Sequence, residues 1–296
     1  MSAAAPSTEI VRRPHEGEVS DVMGGAARWE AKVHEHGLVA LVDVMPRLVP
    51  AGMTADYAIV QAARVSYGQG TRQVQEDRGL IRYLARHRHT TPFEMVEFKF
   101  HHVMPIFVAR QWIRHRTANV NEYSARYSVV KDRFYRPSLE SLRLQSATNR
   151  QGGDQQVDLL TAEEFNSYLD SVEAHYRDYE AMLDKGVARE LARIALPLSV
   201  YTEWYWKIDL HNLFHFLSLR MDLHAQQEIR DYANVMFALI QPIVPVAAEA
   251  FLEYNLHAMR LSRLEIEALR TGQPLASENT RENNEWEAKK KQLGLG

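Results

Sequence analysis

The chain has 296 residues, 46% of them hydrophobic and 25% charged, with 35 Lys plus Arg against 38 Asp plus Glu and no cysteine. The missing cysteines exclude a disulfide framework, an Fe–S cluster, a cysteine metal site and attack by a thiolate. A formal charge of −3 gives no overall pull toward nucleic acid or an acidic membrane. No apolar run reaches the roughly 18 residues of a membrane span, and the first 37 residues lack a signal-peptide core, so the expected residence is cytoplasmic.

In chain order, residues 1–36 are rich in Ala, Ser, Glu and Gly and read as a mobile N-terminal extension. Residues 37–46 are apolar and β-branched, a first strand. Helical spacing covers 55–65 and 72–86, where Leu80, Tyr83 and Leu84 recur at i, i+3 and i+4. Residues 95–104 alternate in part and predict a second strand, which puts the rings of His101 and His102 on opposite faces as structural groups. Pro105 suits the first turn of a helix reaching about Arg116, with Ile106, Ala109 and Ile113 on its packing side.

The polar residues 149–154 read as a loop. Thr161-Ala-Glu-Glu164 is a capping-box pattern, and Phe165, Tyr168, Leu169, Val172, Tyr176 and Leu183 form one helical stripe that stops at Gly186. A further helix ends before Pro197, and the aromatic residues 200–208 predict a third strand. Helices follow at about 211–221, 226–240 and 243–258. The tail, 259–296, is polar from Gly272 on and is expected to be a loose helix or disordered. The class is α+β: a helix-rich domain over residues 37–258 with a small central antiparallel or mixed sheet.

Chemistry concentrates in three segments. Between positions 110 and 136 stand Arg110, Arg114, Arg116, Arg126, Lys131, Arg133 and Arg136 against only Glu122 and Asp132. Arg110, Gln111 and Arg114 share one side of the predicted helix, and guanidinium forks match phosphate oxygens. The alternative is a basic surface paired with acids elsewhere, or a nucleic-acid face. In the second segment His211 and His215 stand at i, i+4, a metal-ligand spacing, with His224 beyond. The acid of a His-Glu-x-x-His motif is missing, since Asn212 stands there. On a regular helix Arg220 lies roughly 140° from His215, so the histidines and the arginine serve different ligands. Two half-buried histidines and an arginine on the last carbonyls is the alternative. In the third, Thr90 or Thr91 before Pro92, with Glu94 following, reads as a capped turn. No glycine-rich phosphate cradle and no Gly-x-Ser-x-Gly elbow is present.

Arg114-His-Arg116 followed after seven residues by Ser124 reproduces the Arg-His-Arg-(seven)-Ser signature of flavin-dependent thymidylate synthases. The segments Arg86-His-Arg-His-Thr-Thr-Pro-Phe-Glu94, Asn121-Glu-Tyr-Ser-Ala-Arg-Tyr127, Ala192-Arg-Ile-Ala-Leu-Pro197 and Phe216-Leu-Ser-Leu-Arg-Met-Asp-Leu-His-Ala-Gln226 also resemble that family, over about residues 38–256. The resemblance implies a homotetramer with active sites built across subunits. It implies conversion of dUMP to dTMP with a carbon from 5,10-methylenetetrahydrofolate and reducing equivalents from NADPH through FAD, without metal or nucleic acid.

By motif position the resemblance assigns Arg114, His115 and Arg116 to FAD, joined by Ser66, Thr91, Glu122, Asp209, Leu210, His211 and His215. Asp209 and His211 stand where Asn and Arg are familiar. It assigns dUMP to Gln111, Trp112, Ile113 and Arg114 of one subunit and to Glu122, Tyr123, Ser124, Ala125 and Arg126 of another, completed by Arg193 and Arg220. The same resemblance makes Arg220 the expected catalytic residue, one that would favour the ionised uracil ring. His89 lines the flavin edge where folate or nicotinamide approaches. Ser124 has no evident base to make it a nucleophile, so it is expected to bind phosphate.

Overall fold

The computed structural model describes residues 14–15, 17–65, 77–146 and 153–295. The first elements are β1 (Val19–Asp21), β2 (Trp29–Val33), β3 (Gly37–Met45), β4 (Leu48–Pro50), α1 (Asp56–Val65), α2 (Asp77–Arg86), β5 (Glu97–Pro105), α3 (Ile106–Trp112) and β6 (Asn119–Glu122). Then come β7 (Arg143–Gln145), β8 (Gly153–Gln156), α4 (Leu159–Glu173), α5 (His175–Asp184), α6 (Arg189–Ala192), β9 (Tyr201–Asp209), α7 (Leu210–Arg220), α8 (Gln227–Ile240), α9 (Pro245–Phe251), α10 (Arg263–Thr271) and α11 (Thr280–Gln292). The chain divides into two compact units at Phe251–Leu252. No helix among the described residues is long and apolar enough to cross a membrane.

An antiparallel sheet of order β2-β3-β5-β9-β6 organises the larger unit. Strict alternation drives its centre: Phe98, Phe100, His102 and Met104 of β5 pair with Ile208, Trp206, Trp204 and Thr202 of β9, and all eight are buried. α8 covers this face over β2 and β3, with Ile229, Tyr232, Ala233, Met236 and Ile240 fully buried; α3 and α7 pack against α8. The opposite ring of the histidine pair, His101, is only partly buried, as the alternation requires. His102 accepts a 3.2 Å bond at Nδ1 from Trp204 Nε1, and burial holds its pKa well below the usual histidine range.

The three strands expected from sequence are all present, and both edges of the sheet are additions. β2 lies inside the stretch read as a mobile extension: Trp29, Ala31 and Val33 face inward between exposed Glu30 and Lys32, a short alternation hidden by its polar surroundings. β6 is exposed at all four positions, so it carries no apolar signal. The helix expected to reach Arg116 stops at Trp112, and its buried face is Val108, Ala109 and Trp112 rather than Ile106, Ala109 and Ile113. The helix expected to open at Thr161 opens at Leu159, because Asp158 is the cap and accepts from the Thr161 amide at 2.9 Å. Its stripe breaks at Ala174 into α4 and α5; Gly186, at φ +81°, ends the second.

Asp56 ties the two ends of this unit together. It is buried, and its carboxylate accepts from the amides of Val246 (2.8 Å) and Ala247 (3.1 Å) at the start of α9. Burial pushes its pKa up to about 6, against hydrogen bonds that favour the charge. Asp56→Ala strands both amides and is expected to cost about 1–3 kcal/mol. The check is a lower urea midpoint with an unchanged slope; a shift below about 0.5 kcal/mol would show that the amides find other partners.

The second unit, Leu252–Gly296, is more ordered than its composition suggests. α10 opens with a complete Ser262/Glu265 capping box and closes on Gly272 at φ +68°. α11 starts on an Asn279 cap, buries Trp286, and sends Lys289 to the buried Glu265 at 2.7 Å, so of the two expected states of the tail, loose helix or disorder, the structure shows a helix, and a packed one.

Candidate active site

β9 runs directly into α7, and α3 turns back through residues 113–118 into β6, which pairs with β9 from Asn119↔Lys207 to Glu122↔Trp204. That connection brings the Arg114-His-Arg116 segment beside α7. The His115 ring lies 6.0 Å from His215 and 4.8 Å from Phe216, centroid to centroid. Arg220 Nε donates to His115 Nε2 at 3.1 Å, and Arg220 Nη2 donates to the Gln111 carbonyl at 3.3 Å. The Gln111 side chain donates to Gln226.

α7 is regular, and His215 and Arg220 both approach the His115 ring, which comes from another segment. Burial first, then Arg220, then His215 lower the His115 pKa to about 4, while burial lowers that of Arg220. His224 lies past the end of α7, bonded to Asp222 at 2.8 Å, and does not join His211 and His215.

Other site candidates fall around this centre. Trp112 is fully buried among His102, Trp204, Trp206 and Phe216, so it supports Gln111 and Ile113 from beneath. Leu210 is likewise buried, its amide bonded to the Val96 carbonyl at 2.8 Å. Asp209 caps α7, accepting from the Asn212 amide at 2.9 Å and its side chain at 2.7 Å. With Arg116, Glu97, Asn119 and Lys207 it lines an open polar pocket of about 260 Å³. Thr91 and Glu94 sit on a 3₁₀ turn, Thr91–Met95, with no side-chain cap, and the exposed His89 just precedes it.

The other expected dUMP group forms a separate cluster. Glu122 accepts from Thr202 Oγ1 at 2.7 Å. The Tyr123 amide donates to the Glu203 carbonyl, and Ser124 to Tyr127 make a turn in which Ser124 Oγ accepts from the Arg126 amide at 3.4 Å. Arg126 is exposed over the Tyr127 ring, and Arg189 donates to the Tyr127 carbonyl at 2.7 Å. Ala125 packs against Val130, Tyr176, Tyr179 and Val200. Arg193 is half-buried on the Arg193–Ala195 turn. Ser66 lies outside the described residues. Gln226, Thr202 and Arg189 escaped the sequence reading; each is a polar residue whose role depends on a partner more than 60 positions away.

The basic segment is not simply a surface paired with acids. Arg136 is clamped by Asp170 and Glu173, and Lys131 meets Glu203. Among the described residues Arg110, Arg114 and Arg116 carry no side-chain hydrogen bond or ion pair. Of these, Arg116 lines the polar pocket beside Asp209, and a free guanidinium fork there matches phosphate oxygens.

A family model described as thymidylate synthase complementing protein matches residues 47–246. The chain is 68% identical over 276 residues to a flavin-dependent thymidylate synthase of Dictyostelium discoideum, covering 93% of this chain and 91% of that protein. It is 54% identical over 239 residues to one of Thermus thermophilus, covering 80% and 84%. Among solved structures it resembles the UMP/dUMP methylase PolB from Streptomyces cacaoi bound with 5-Br UMP, at TM-score 0.66 and 33% identity, over 77% of this chain and 99% of that one. A matched family model across most of its length, relatives of this identity and the Arg114-His-Arg116 segment folded against α7 agree: the chain belongs to the flavin-dependent thymidylate synthase family.

Proposed function

We propose that this chain is a flavin-dependent thymidylate synthase that methylates dUMP to dTMP, with 5,10-methylenetetrahydrofolate as carbon donor and NADPH as reductant, acting as a cytoplasmic homotetramer whose sites are shared between subunits. The observation that carries the reading is the half-buried Arg220 guanidinium, fixed at two points by His115 and the Gln111 carbonyl. A fixed cation favours the ionised uracil ring and so raises electron density at the carbon that attacks the one-carbon unit. No cysteine exists to add to the ring, so activation falls to this charge. FAD, when bound, supplies the reducing equivalents taken from NADPH.

The remaining residues bind and orient. Arg114 and Arg116 hold the cofactor phosphates, with Asp209, Leu210, His211, His215, Thr91 and Ser66 around them. Gln111, Ile113 and Arg114, carried over the buried Trp112, meet the nucleotide from one subunit. The Ser124 hydroxyl and Arg126, with Arg193, take its phosphate from another, and Glu122 and Tyr123 complete the wall. His89 borders the edge where folate or nicotinamide enters. Purified protein is expected to be yellow, with a flavin band that NADPH bleaches faster in the presence of dUMP. Colourless protein that neither rebinds FAD nor forms dTMP overturns the reading.

A further inference from the structure

Arg220 is expected to act on the nucleotide, but its aim is set by another side chain. Arginine has only N–H donors, so the 3.1 Å contact from Arg220 Nε requires a lone pair on His115 Nε2. The ring is therefore neutral, with its proton on Nδ1, on the side not turned to Arg220. Burial, Arg220 and His215 together hold the ring well below the usual histidine range, at about 4, so it stays an acceptor at neutral pH. The second anchor, Gln111 O to Nη2, fixes the plane of the fork. Among the described residues these two bonds leave the Nη1 amine and one Nη2 proton free for a ligand.

We propose that His115 is a positioning residue for Arg220: its Nε2 lone pair orients the guanidinium toward the nucleotide, while Nδ1–H remains available to the cofactor. One imidazole then joins the cofactor-holding segment to the activating arginine. The inference rests on the reading that Arg220 meets the nucleotide. A neutral acceptor is what the position needs, because a protonated ring would repel Arg220 and lose the bond. Phe216, edge-on to His115 at 4.8 Å, holds the ring in this pose.

The test uses the flavin-loaded enzyme. Nitrogen NMR of histidine-labelled wild-type protein, with the His115 signal identified by its absence in His115→Gln, reads the tautomer. Nδ1–H is expected, and a proton on Nε2 overturns the proposal even if other variants fail to fold. His115→Leu removes the acceptor and is expected to lower dTMP formation per bound flavin by about tenfold to a hundredfold, as misplacement of a reacting group does. His115→Gln, whose amide oxygen can accept from Nε, is expected to restore most of it.

Equilibrium dialysis with dUMP completes the cycle without turnover: His115→Leu with Arg220→Ala is expected to bind no more weakly than Arg220→Ala alone. Losses that multiply, or a Gln variant as poor as Leu, overturn the positioning role. Near-wild-type activity of Arg220→Ala would instead remove the underlying reading. An inactive Arg220→Ala beside an unimpaired His115→Leu removes only the proposal.

Discussion

Arg220→Ala is expected to lower dTMP formation by about 10²–10³-fold while the purified protein keeps its flavin band. The side chain reaches its place at the last turn of α7 with its charge partly desolvated, and burial lowers its pKa from the ordinary arginine value. Among the described residues no acidic side chain is bonded to it: its partners are a neutral ring and a carbonyl. A cation held by neutral acceptors keeps its full charge for an incoming anion, whereas a carboxylate partner would spend it. Removing one such preorganised group from a developing charge is worth about 3–4 kcal/mol, which is the expected fold-loss.

Lysine is not expected to rescue Arg220, because a single ammonium cannot keep the bond to His115, the bond to Gln111 and a free fork together. The checks are dTMP yield, flavin absorbance and dUMP binding on the same preparation. Activity within about threefold of wild type, far less than loss of a charge-stabilising donor costs, would take Arg220 out of the chemistry. Loss of flavin with activity would place it with the cofactor instead.

The centre of the fold was legible because burial on one face forces alternation. Phe98, Phe100, His102 and Met104 fall at every second residue, as do Trp204, Trp206 and Ile208, and those strands were expected where they stand. The edges were not legible. β2 and β6 each pair on one side only, so their side chains need not be apolar, and Asn119-Val-Asn-Glu122 looks like a loop. Helix ends failed for a related reason. Thr161 and Asp158 both offer a capping oxygen, and only the conformation decides which one the amides use.

The site divides in the same way. The Arg114-His-Arg116 spacing marked the segment, and α7 was recognised as a helix carrying His211, His215 and Arg220. A wheel reports only the faces of one helix. It cannot show that His115, about a hundred positions earlier, slides between two of those faces and receives both.

Trp112 is where fold and site meet, and Trp112→Ala is expected to cost about 3–5 kcal/mol, the range for emptying a buried aromatic position. For a domain of this size that corresponds to roughly 10 °C or more in melting temperature. The ring is fully buried, with centroids 4.5 Å from His102, 4.7 Å from Phe216 and 5.5 Å from Trp206, so the hole would open between the sheet and α7. Gln111 and Ile113 flank it in sequence, so the carbonyl that anchors Arg220 loses its support as well. Activity is expected to fall even at temperatures where the variant is folded.

Trp112→Phe separates the two effects. The Trp112 Nε1–H is buried and meets no protein acceptor among the described residues. Phenylalanine removes that donor, whose burial costs about 1–3 kcal/mol, and this offsets part of the lost packing. A loss well below that of alanine, with dTMP formation retained, is therefore expected from thermal unfolding and turnover measured together. If phenylalanine proved as destabilising as alanine, the indole N–H must hold a bonded partner, and the polar contact rather than the ring volume would be what supports the Gln111–Arg114 segment.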